Sequence, residues 1–251
     1  MSPPPSAQFN ADTDDELRST WPQRAWTLAA VAAILRSLST SVSLAAASGT
    51  AADLLAVCVA AVAAYSLADL TSGVYHWAID NYGDASTPVL GSQIAAFQSH
   101  HRHPSSIARR EVCNNLHVAA RAVAVALPAA EAALTYGVGA SAAAAAHAFL
   151  GVFAACVVLS QQFHAWAHEK TTTRRLPPGV AALQAAGLLL SRPEHAAHHR
   201  PPYNTNYCII NGMWNGVLGR FQVFEALEKV IYLRTGVKPR SWDKPDAKMI
   251  L

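Results

Sequence analysis

Charge is scarce in this sequence. Asp, Glu, Lys and Arg make up only 14% of its 251 residues, whereas hydrophobic residues make up 52%. An average soluble domain carries about 25% charged residues, so this composition favours a membrane protein. The net charge is +3 and no long run of Lys or Arg is present, so we predict no nucleic-acid partner.

Cysteine motifs and targeting signals are also lacking. The four cysteines are isolated and form no C-x-x-C motif, which indicates neither a disulfide framework nor a cysteine-metal site. The N-terminal residues have no apolar core behind a basic start, which excludes a secretory signal peptide. They are also too acidic to form a clear transit peptide.

Composition divides the chain into three parts. Residues 1–20 contain three prolines in a row and an acidic stretch, and we predict that they are disordered. Residues 21–245 are predicted to form one membrane domain. Residues 246–251 form a short tail.

Four apolar runs predict helices that cross a membrane: residues 25–47, 54–79, 116–134 and 142–167. A spanning helix needs about 20 largely apolar residues, and the second and fourth runs meet this most clearly. Arg36 interrupts the first run, and the third contains Arg121, Pro128 and Glu131. Since the runs are rich in alanine, which is only mildly apolar, a soluble all-α bundle is the alternative.

Two further stretches predict short helices at the membrane surface. Residues 180–190 are too few to span and indicate an interfacial or re-entrant helix. Residues 221–233 place apolar side chains at helical spacing, which is typical of an amphipathic helix. The predicted fold is therefore an all-α integral membrane bundle of about four transmembrane helices with short interfacial helices.

The distribution of basic residues predicts the orientation of this bundle. Four spans place the connections 81–115 and 169–179 on one side, and these carry Arg102, Arg109, Arg110, Lys170, Arg174 and Arg175. The opposite connections, 48–53 and 135–141, carry no Lys or Arg. The positive-inside rule then places the basic connections in the cytosol or in the stroma.

Most of the eleven histidines fall in polar segments on that basic side, in four motifs. The motifs are H-W-A-I-D with His76 and Asp80, Q-S-H-H-R-H-P with His100 and His101, Q-Q-F-H-A-W-A-H with His164 and His168, and E-H-A-A-H-H with His195, His198 and His199. Side chains at i and i+4 share a helix face, so His76 with Asp80, and His164 with His168, can each bind one metal. The spacing predicts that the three histidines of the last motif also bind one metal together.

The number of ligands indicates two metals. Eight histidines and one aspartate are too many for one tetrahedral zinc, which has four ligands. Imidazole and carboxylate suit iron, and iron with open positions activates dioxygen, whereas zinc has no redox chemistry. The motifs therefore predict a di-iron site on one membrane side, with dioxygen as co-substrate.

The remaining polar residues near these motifs have more ordinary interpretations. His103 precedes a proline and is predicted to be a loop residue, and His147 a residue of helix packing. His117 is interpreted as an additional ligand or as a hydrogen-bond donor outside the ligand set. Asp69 either orients a ligand through the free N–H of its imidazole or is a polar residue that faces the bundle interior.

The motifs together resemble a known family. The segments S-G-V-Y-H-W-A-I-D-N-Y-G-D, Q-S-H-H-R-H-P, R-R-E-V-C-N-N-L-H, Q-Q-F-H-A-W-A-H, E-H-A-A-H-H-R-P-P-Y-N-T-N-Y-C-I and K-P-R-S-W are similar to those of the plant plastid fatty acid desaturases of type four. The likeness extends over residues 16–242. More distantly, the motifs resemble the Kua group, which includes the animal plasmanylethanolamine desaturase.

The resemblance implies a function. It implies desaturation of palmitate in phosphatidylglycerol in a plastid membrane, with a trans double bond near the carboxyl end of the acyl chain. The nine motif residues would be ligands of two irons, and the site would face the stroma. Ferredoxin would be the electron donor. The basic residues beside the motifs, Arg102, Arg109, Arg110 and Arg200, are expected either to bind an anionic lipid head group or to supply ordinary positive-inside charge.

Other functions remain open on the residues alone. A lipid hydroxylase or a plasmanyl-lipid desaturase uses similar motifs. A membrane zinc hydrolase needs a general-base glutamate as in H-E-x-x-H, which is absent, although Glu194 precedes His195. A non-enzymatic haem- or metal-binding membrane protein leaves the adjacent pairs His100–His101 and His198–His199 unexplained.

Overall fold

The fold is all-α, as predicted. The computed structural model describes residues 14–137, 139–168 and 176–243, and within these ranges it has helices and no strand. The α-helices are α1 (Asp14–Leu17), α2 (Trp21–Ser48), α3 (Ala51–Asn81), α4 (Gly91–Arg102), α5 (Ser106–Arg109), α6 (Val112–Gly137), α7 (Ala140–His168), α8 (Val180–Ala185), α9 (Arg192–His198), α10 (Asn215–Arg220) and α11 (Val223–Thr235). A short 3-10 helix, Arg240–Trp242, follows.

Four of these helices, α2, α3, α6 and α7, are long and apolar enough to cross a membrane. They correspond to the four apolar runs, and each is longer than its run. Neither Arg36 in α2 nor Pro128 in α6 ends its helix. At 1.5 Å per residue the 31 residues of α3 extend about 46 Å, which exceeds a hydrocarbon core of about 30 Å.

Capping residues set the starts and ends of the spans. Thr20 and Gln23 form a capping box at the start of α2, and Gly49 ends that helix in the left-handed conformation. Thr50 then caps α3, because its side chain accepts a hydrogen bond from the Asp53 N–H at 3.1 Å. This two-residue connection makes α2 and α3 antiparallel, and the short connection around residue 139 does the same for α6 and α7.

Helix α7 is the centre of the bundle and packs against α2, α3 and α6. Small side chains permit this close approach. A Cβ added to Gly151 would lie 2.7 Å from Leu38 Cδ2 on α2, so any larger residue would require the Leu38 side chain to shift. Lipid tails are as apolar as the helices, so packing of this kind, rather than the hydrophobic effect, holds helices together in a bilayer.

Polar side chains also join the spanning helices. Ser41 on α2 donates to the Ala144 carbonyl on α7 at 2.7 Å. Arg36 forms an ion pair with the buried Glu131 of α6, and His147 Nδ1 of α7 lies 3.3 Å from the same carboxylate. His147 therefore lies in a helix interface, which agrees with its predicted role in helix packing.

Two predicted boundaries are wrong. The helix expected over residues 180–190 covers only Val180–Ala185, because Gly187 has a left-handed φ of 69° and directs the chain out of the helix. Within the segment predicted to be disordered, residues 14–20 are part of the fold, since Glu111 N–H donates to the Leu17 carbonyl and Leu17 is buried. Residues 1–13 and 246–251, and the connection 169–175 with Lys170, Arg174 and Arg175, lie outside the described residues.

The C-terminal amphipathic helix is present as α11. Phe224 and Glu228 face inward, whereas Leu227, Val230 and Leu233 are exposed. Glu228 accepts hydrogen bonds from the indole N–H groups of Trp77 on α3 and of Trp242. Helix α11 thus packs at the end of the bundle where α3 ends.

This topology predicts which positions share a membrane side. In a background without the four native cysteines, Ser86→Cys before α4 and Lys229→Cys on α11 should react with an impermeant thiol reagent from the same side of sealed vesicles. Gly139→Cys, in the connection of α6 and α7, should react only from the opposite side. Labelling of positions 86 and 229 from opposite sides would contradict the bundle.

Candidate metal centre

Side chains from four helices meet where α3 and α7 end. They form two groups, and within each group the potential ligand atoms lie within 4.8 Å of one another. The five-histidine cluster contains His100, His164, His168, His195 and His199, and the four-residue cluster contains His76, Asp80, His101 and His198. These are the nine residues that the motifs singled out.

In the five-histidine cluster the imidazoles point their Nε2 atoms at one another. His168 Nε2 lies 2.9 Å from His100 Nε2, 3.2 Å from His164 Nε2 and 2.8 Å from His195 Nε2. His199 Nε2 lies 3.0 Å from His195 Nε2. One ring nitrogen can donate or accept a hydrogen bond, so His168 cannot satisfy three such neighbours together. A cation between the lone pairs resolves this conflict.

In the four-residue cluster the Asp80 carboxylate is the common neighbour. Its Oδ2 atom lies 3.2 Å from His76 Nε2, 3.0 Å from His101 Nε2 and 3.4 Å from His198 Nε2. The Nε2 atoms of His76 and His198 are buried and make no hydrogen bond to any described residue. Buried polar atoms are rarely left in this state, so these two nitrogens are suited to a metal.

Two backbone carbonyls fix which nitrogen of these rings carries hydrogen. His76 Nδ1 lies 2.9 Å from the Tyr207 carbonyl oxygen, and His198 Nδ1 lies 2.7 Å from that of Thr205. A carbonyl oxygen only accepts, so each Nδ1 donates and each Nε2 keeps its lone pair. Hydrogen bonds of this kind orient metal-binding histidines.

Burial keeps four cluster histidines outside the spanning helices neutral. It lowers the pKa of His198 to about 4, with the neighbouring His76 as the next cause. Burial likewise holds the pKa values of His100, His195 and His199 well below the usual range, and nearby imidazoles lower them further. These rings are therefore unprotonated near neutral pH, which is the form that binds metal.

The donor set fits two metal ions. Neutral imidazoles and one carboxylate suit iron, copper, nickel or zinc, and two adjacent groups of five and four residues exceed what one ion binds. The groups are contiguous, because the ring centroids of His198 and His199, one from each cluster, lie 5.4 Å apart.

The division of ligands differs from the expectation for the last motif. The spacing predicted one metal for His195, His198 and His199, but His198 lies in the four-residue cluster and the other two in the five-histidine cluster. The adjacent residues His100 and His101 are divided in the same way. Consecutive residues of a helix project about 100° apart, so each adjacent pair reaches both clusters.

Three other predicted residues lie outside both clusters. His103 is exposed after the end of α4. His117 Nδ1 donates to the Asn114 carbonyl at 2.8 Å, within its own segment. Asp69 does not orient an imidazole directly, and its carboxylate instead accepts from the backbone N–H groups of residues 210, 211, 212 and 214.

The four candidate head-group arginines lie at the ends of short helices or directly after them. Arg102 is the last residue of α4, Arg109 ends α5, Arg110 follows it, and Arg200 comes directly after the metal-site helix α9. Arg102, Arg109 and Arg200 are exposed and Arg110 is half-buried. Arg102 and Arg200 directly follow the cluster residues His101 and His199 in the chain.

Sequence reasoning missed the carbonyls of Thr205 and Tyr207. Every residue has a carbonyl, so residue type alone does not reveal which one accepts from a ligand. The only signal is the polar run N-T-N after Tyr203, which indicates a non-helical segment close to the last histidine motif.

Comparison with known proteins agrees with this site. The lipid desaturase domain matches residues 65–242, which contain all nine cluster residues. The chain is 50% identical to fatty acid desaturase 4, chloroplastic, from Arabidopsis thaliana, over 92% of this chain and 68% of that protein. It is 33% identical to plasmanylethanolamine desaturase from Myxococcus xanthus, over 71% of this chain and 62% of that protein.

No solved structure matches the chain. The family rests instead on the domain match, which covers well over half of the chain, and on the identity to the plant relative. Together they show that the chain belongs to the lipid desaturase family.

Proposed function

We propose that this protein desaturates the acyl chain of a membrane lipid at a di-iron centre held by the nine cluster residues. The observation that carries the proposal is the pair of adjacent clusters at one end of a membrane bundle. Membership of the lipid desaturase family supports the same chemistry.

Iron suits both the imidazole and carboxylate ligands of the clusters and the desaturation chemistry of the family. When bound, two irons supply the reduction of dioxygen to water coupled to removal of two hydrogens from adjacent carbons. The balance needs dioxygen, two electrons and two protons for each double bond formed, so an external electron donor is required. A ferredoxin is the donor that we propose for a plastid protein.

The protein's own residues bind the metals, orient the acyl chain and shield the reacting carbons from water. The cluster histidines are buried or half-buried, so the site keeps bulk water away from the reacting carbons. A C–H bond develops little charge, so placement of the chain decides which carbons react. The spanning helices provide an apolar environment for the rest of the acyl chain.

The level of the site favours carbons near the lipid head group. His76 follows Ala51, the first residue of α3, by 25 residues, which is about 38 Å of helix and more than the hydrocarbon core of about 30 Å. With Ala51 at the opposite membrane surface, we infer that the clusters lie at or beyond the surface on their own side. Carbons close to the carboxyl end of a membrane lipid reach this level more readily than the methyl end.

We propose palmitate of phosphatidylglycerol in a plastid membrane as the substrate, with the site facing the stroma. The plant relative is named a chloroplastic fatty acid desaturase, and the exposed arginines Arg102, Arg109 and Arg200 suit an anionic head group. The second candidate is a plasmanyl lipid, because relatives from Myxococcus xanthus and Mus musculus are named plasmanylethanolamine desaturases.

The contacts of Glu194 argue against a zinc hydrolase, which would need this residue as a general base. The Glu194 carboxylate accepts from the Asn206 side chain at 2.8 Å and is exposed. It is therefore engaged outside the clusters instead of being free to act as a general base within them. A haem protein needs only two axial histidines, which leaves most of the clustered imidazoles without a role.

Lipid analysis tests the reaction and the substrate. Expression in a plant that lacks plastid palmitate desaturation should produce phosphatidylglycerol with a trans double bond near the carboxyl end. A vinyl-ether lipid would favour the plasmanyl candidate, and a hydroxylated chain would favour a hydroxylase. Unchanged lipids, with the protein present and iron-loaded, would contradict acyl desaturation.

Metal content tests the di-iron centre separately. Protein purified in detergent under reducing conditions should contain close to two irons per chain, because the five- and four-residue clusters each supply enough ligands for one ion. Elemental analysis gives the ratio. Stoichiometric zinc with no iron would overturn the assignment.

Ligand variants test the roles of the cluster residues. His168→Ala and His101→Ala should each reduce product formation by about 10–100-fold or more, since each removes an Nε2 atom from the centre of a cluster. His103→Ala is the matched control, because it lies in the same motif as His101 but is exposed. Loss of iron in the His103 variant, with iron retained in the His101 variant, would show that the assignment is wrong.

A further inference from the structure

A non-helical segment, residues 205–214, runs beside α3 next to the four-residue cluster, and its residues 207–210 are buried. Tyr207, Cys208 and Ile210 are 1%, 0% and 0% exposed. The segment lies so close to α3 that a Cβ added to Gly73 would be 2.4 Å from Cys208 Sγ. A buried chain that is not helical has backbone N–H groups without helix partners, so other groups must accept from them.

Side chains of α3 accept these hydrogen bonds. Asp69, which is 0% exposed, is the main acceptor. Its Oδ1 accepts from the N–H groups of Ile210 at 3.1 Å, Asn211 at 3.0 Å and Gly212 at 3.0 Å, and its Oδ2 accepts from that of Trp214 at 3.2 Å. Ser72 Oγ accepts from the Ile209 N–H at 3.0 Å. One carboxylate therefore holds the second half of the segment, from Ile210 onward, against α3.

The same segment supplies the carbonyls that orient two cluster histidines. The Tyr207 carbonyl accepts from His76 Nδ1, and the Thr205 carbonyl accepts from His198 Nδ1. Both histidines belong to the four-residue cluster. In the five-histidine cluster, by contrast, His164 Nδ1 and His195 Nδ1 make no hydrogen bond to any described residue. The carbonyls of the segment therefore orient imidazoles of the four-residue cluster.

We propose that Asp69 is a positioning residue of the four-residue cluster, acting through the backbone of residues 205–214. Its carboxylate fixes the segment, the segment fixes the two carbonyls, and the carbonyls direct the Nε2 lone pairs of His76 and His198 towards the metal. The inference rests on the proposed metal binding. It assigns a role in that binding to Asp69, which lies seven positions before His76 and touches no metal ligand.

The first test replaces the carboxylate. Asn at this position keeps the size but brings an N–H₂ group towards backbone donors, so Asp69→Asn should loosen the segment. Iron-loaded wild type and variant, purified in detergent, are challenged with a ferrous chelator. We expect the variant to release one iron at about 10–100-fold lower chelator concentration and to retain the second as wild type does. Mössbauer spectroscopy should show one altered iron signal and one unaltered signal.

The second test displaces the segment without touching Asp69. Gly73→Ala places a methyl group against Cys208 Sγ and should weaken the same iron. Adding Cys208→Ala removes the sulfur and leaves contacts of 3.3 and 3.4 Å, so the double variant should hold the weakened iron more tightly than Gly73→Ala does. Weakening of one iron with the other retained is not expected if Gly73 matters only for folding, so this variant keeps the test valid if Asp69→Asn fails to fold.

Glu131→Gln is the matched control. Glu131 is also a buried carboxylate of a spanning helix, but its contacts are Arg36 and His147. This variant should keep both irons with unaltered spectra. Equal loss of both irons in Asp69→Asn and Gly73→Ala, or retention of both with wild-type spectra, would overturn the positioning role. A wild type with fewer than two irons would instead contradict the proposed di-iron centre.

Discussion

The metal centre depends on the parallel packing of α3 against α7. Each helix carries its ligands in its last turns, with His76 and Asp80 on α3 and His164 and His168 on α7. A slip of one residue along either helix moves a side chain by about 1.5 Å and turns it by about 100°. Such a slip would separate ligand atoms that now lie about 3 Å apart. The packing of Ala68 on α3 with Cys156 and Phe163 on α7 therefore sets the geometry at the end of the bundle.

Two short helices complete the site on this frame. Helix α4 brings His100 and His101, and α9 with the residue that follows it brings His195, His198 and His199. Ser191 caps α9 by accepting from the Glu194 N–H, and Pro193 lies in its first turn. These local features fix where α9 starts, and thereby which of its faces is turned towards the ends of α3 and α7.

Polar groups in the bundle show two contrasting patterns. In the interior they are paired across helices, as in Arg36 with Glu131 and Ser41 with Ala144. Most buried side-chain atoms that lack a hydrogen bond among the described residues belong instead to the two clusters. Since an unpaired buried polar atom is costly, this concentration marks the clusters as places where another partner binds. Membership of the lipid desaturase family indicates that this partner is a metal that takes part in desaturation.

The sequence by itself determined the elements and the set of chemically important residues. Apolar runs of about 20 residues can satisfy their backbone in a bilayer only as helices, so α2, α3, α6 and α7 follow from composition and length. Histidines at i and i+4 share a face in any helix, so the pairs at the ends of α3 and α7 also follow from local geometry. The resemblance to the desaturases rests on these same motifs.

Only the tertiary structure decided how the ligands are divided and what orients them. His198 and His199 are adjacent in the chain, yet they belong to different clusters, because that depends on how α9 is rotated against α3 and α7. Asp69 was recognisable as a buried polar residue, but its partners lie about 140 positions later in the chain. Contacts of this kind depend on how distant segments pack, and no local spacing encodes them.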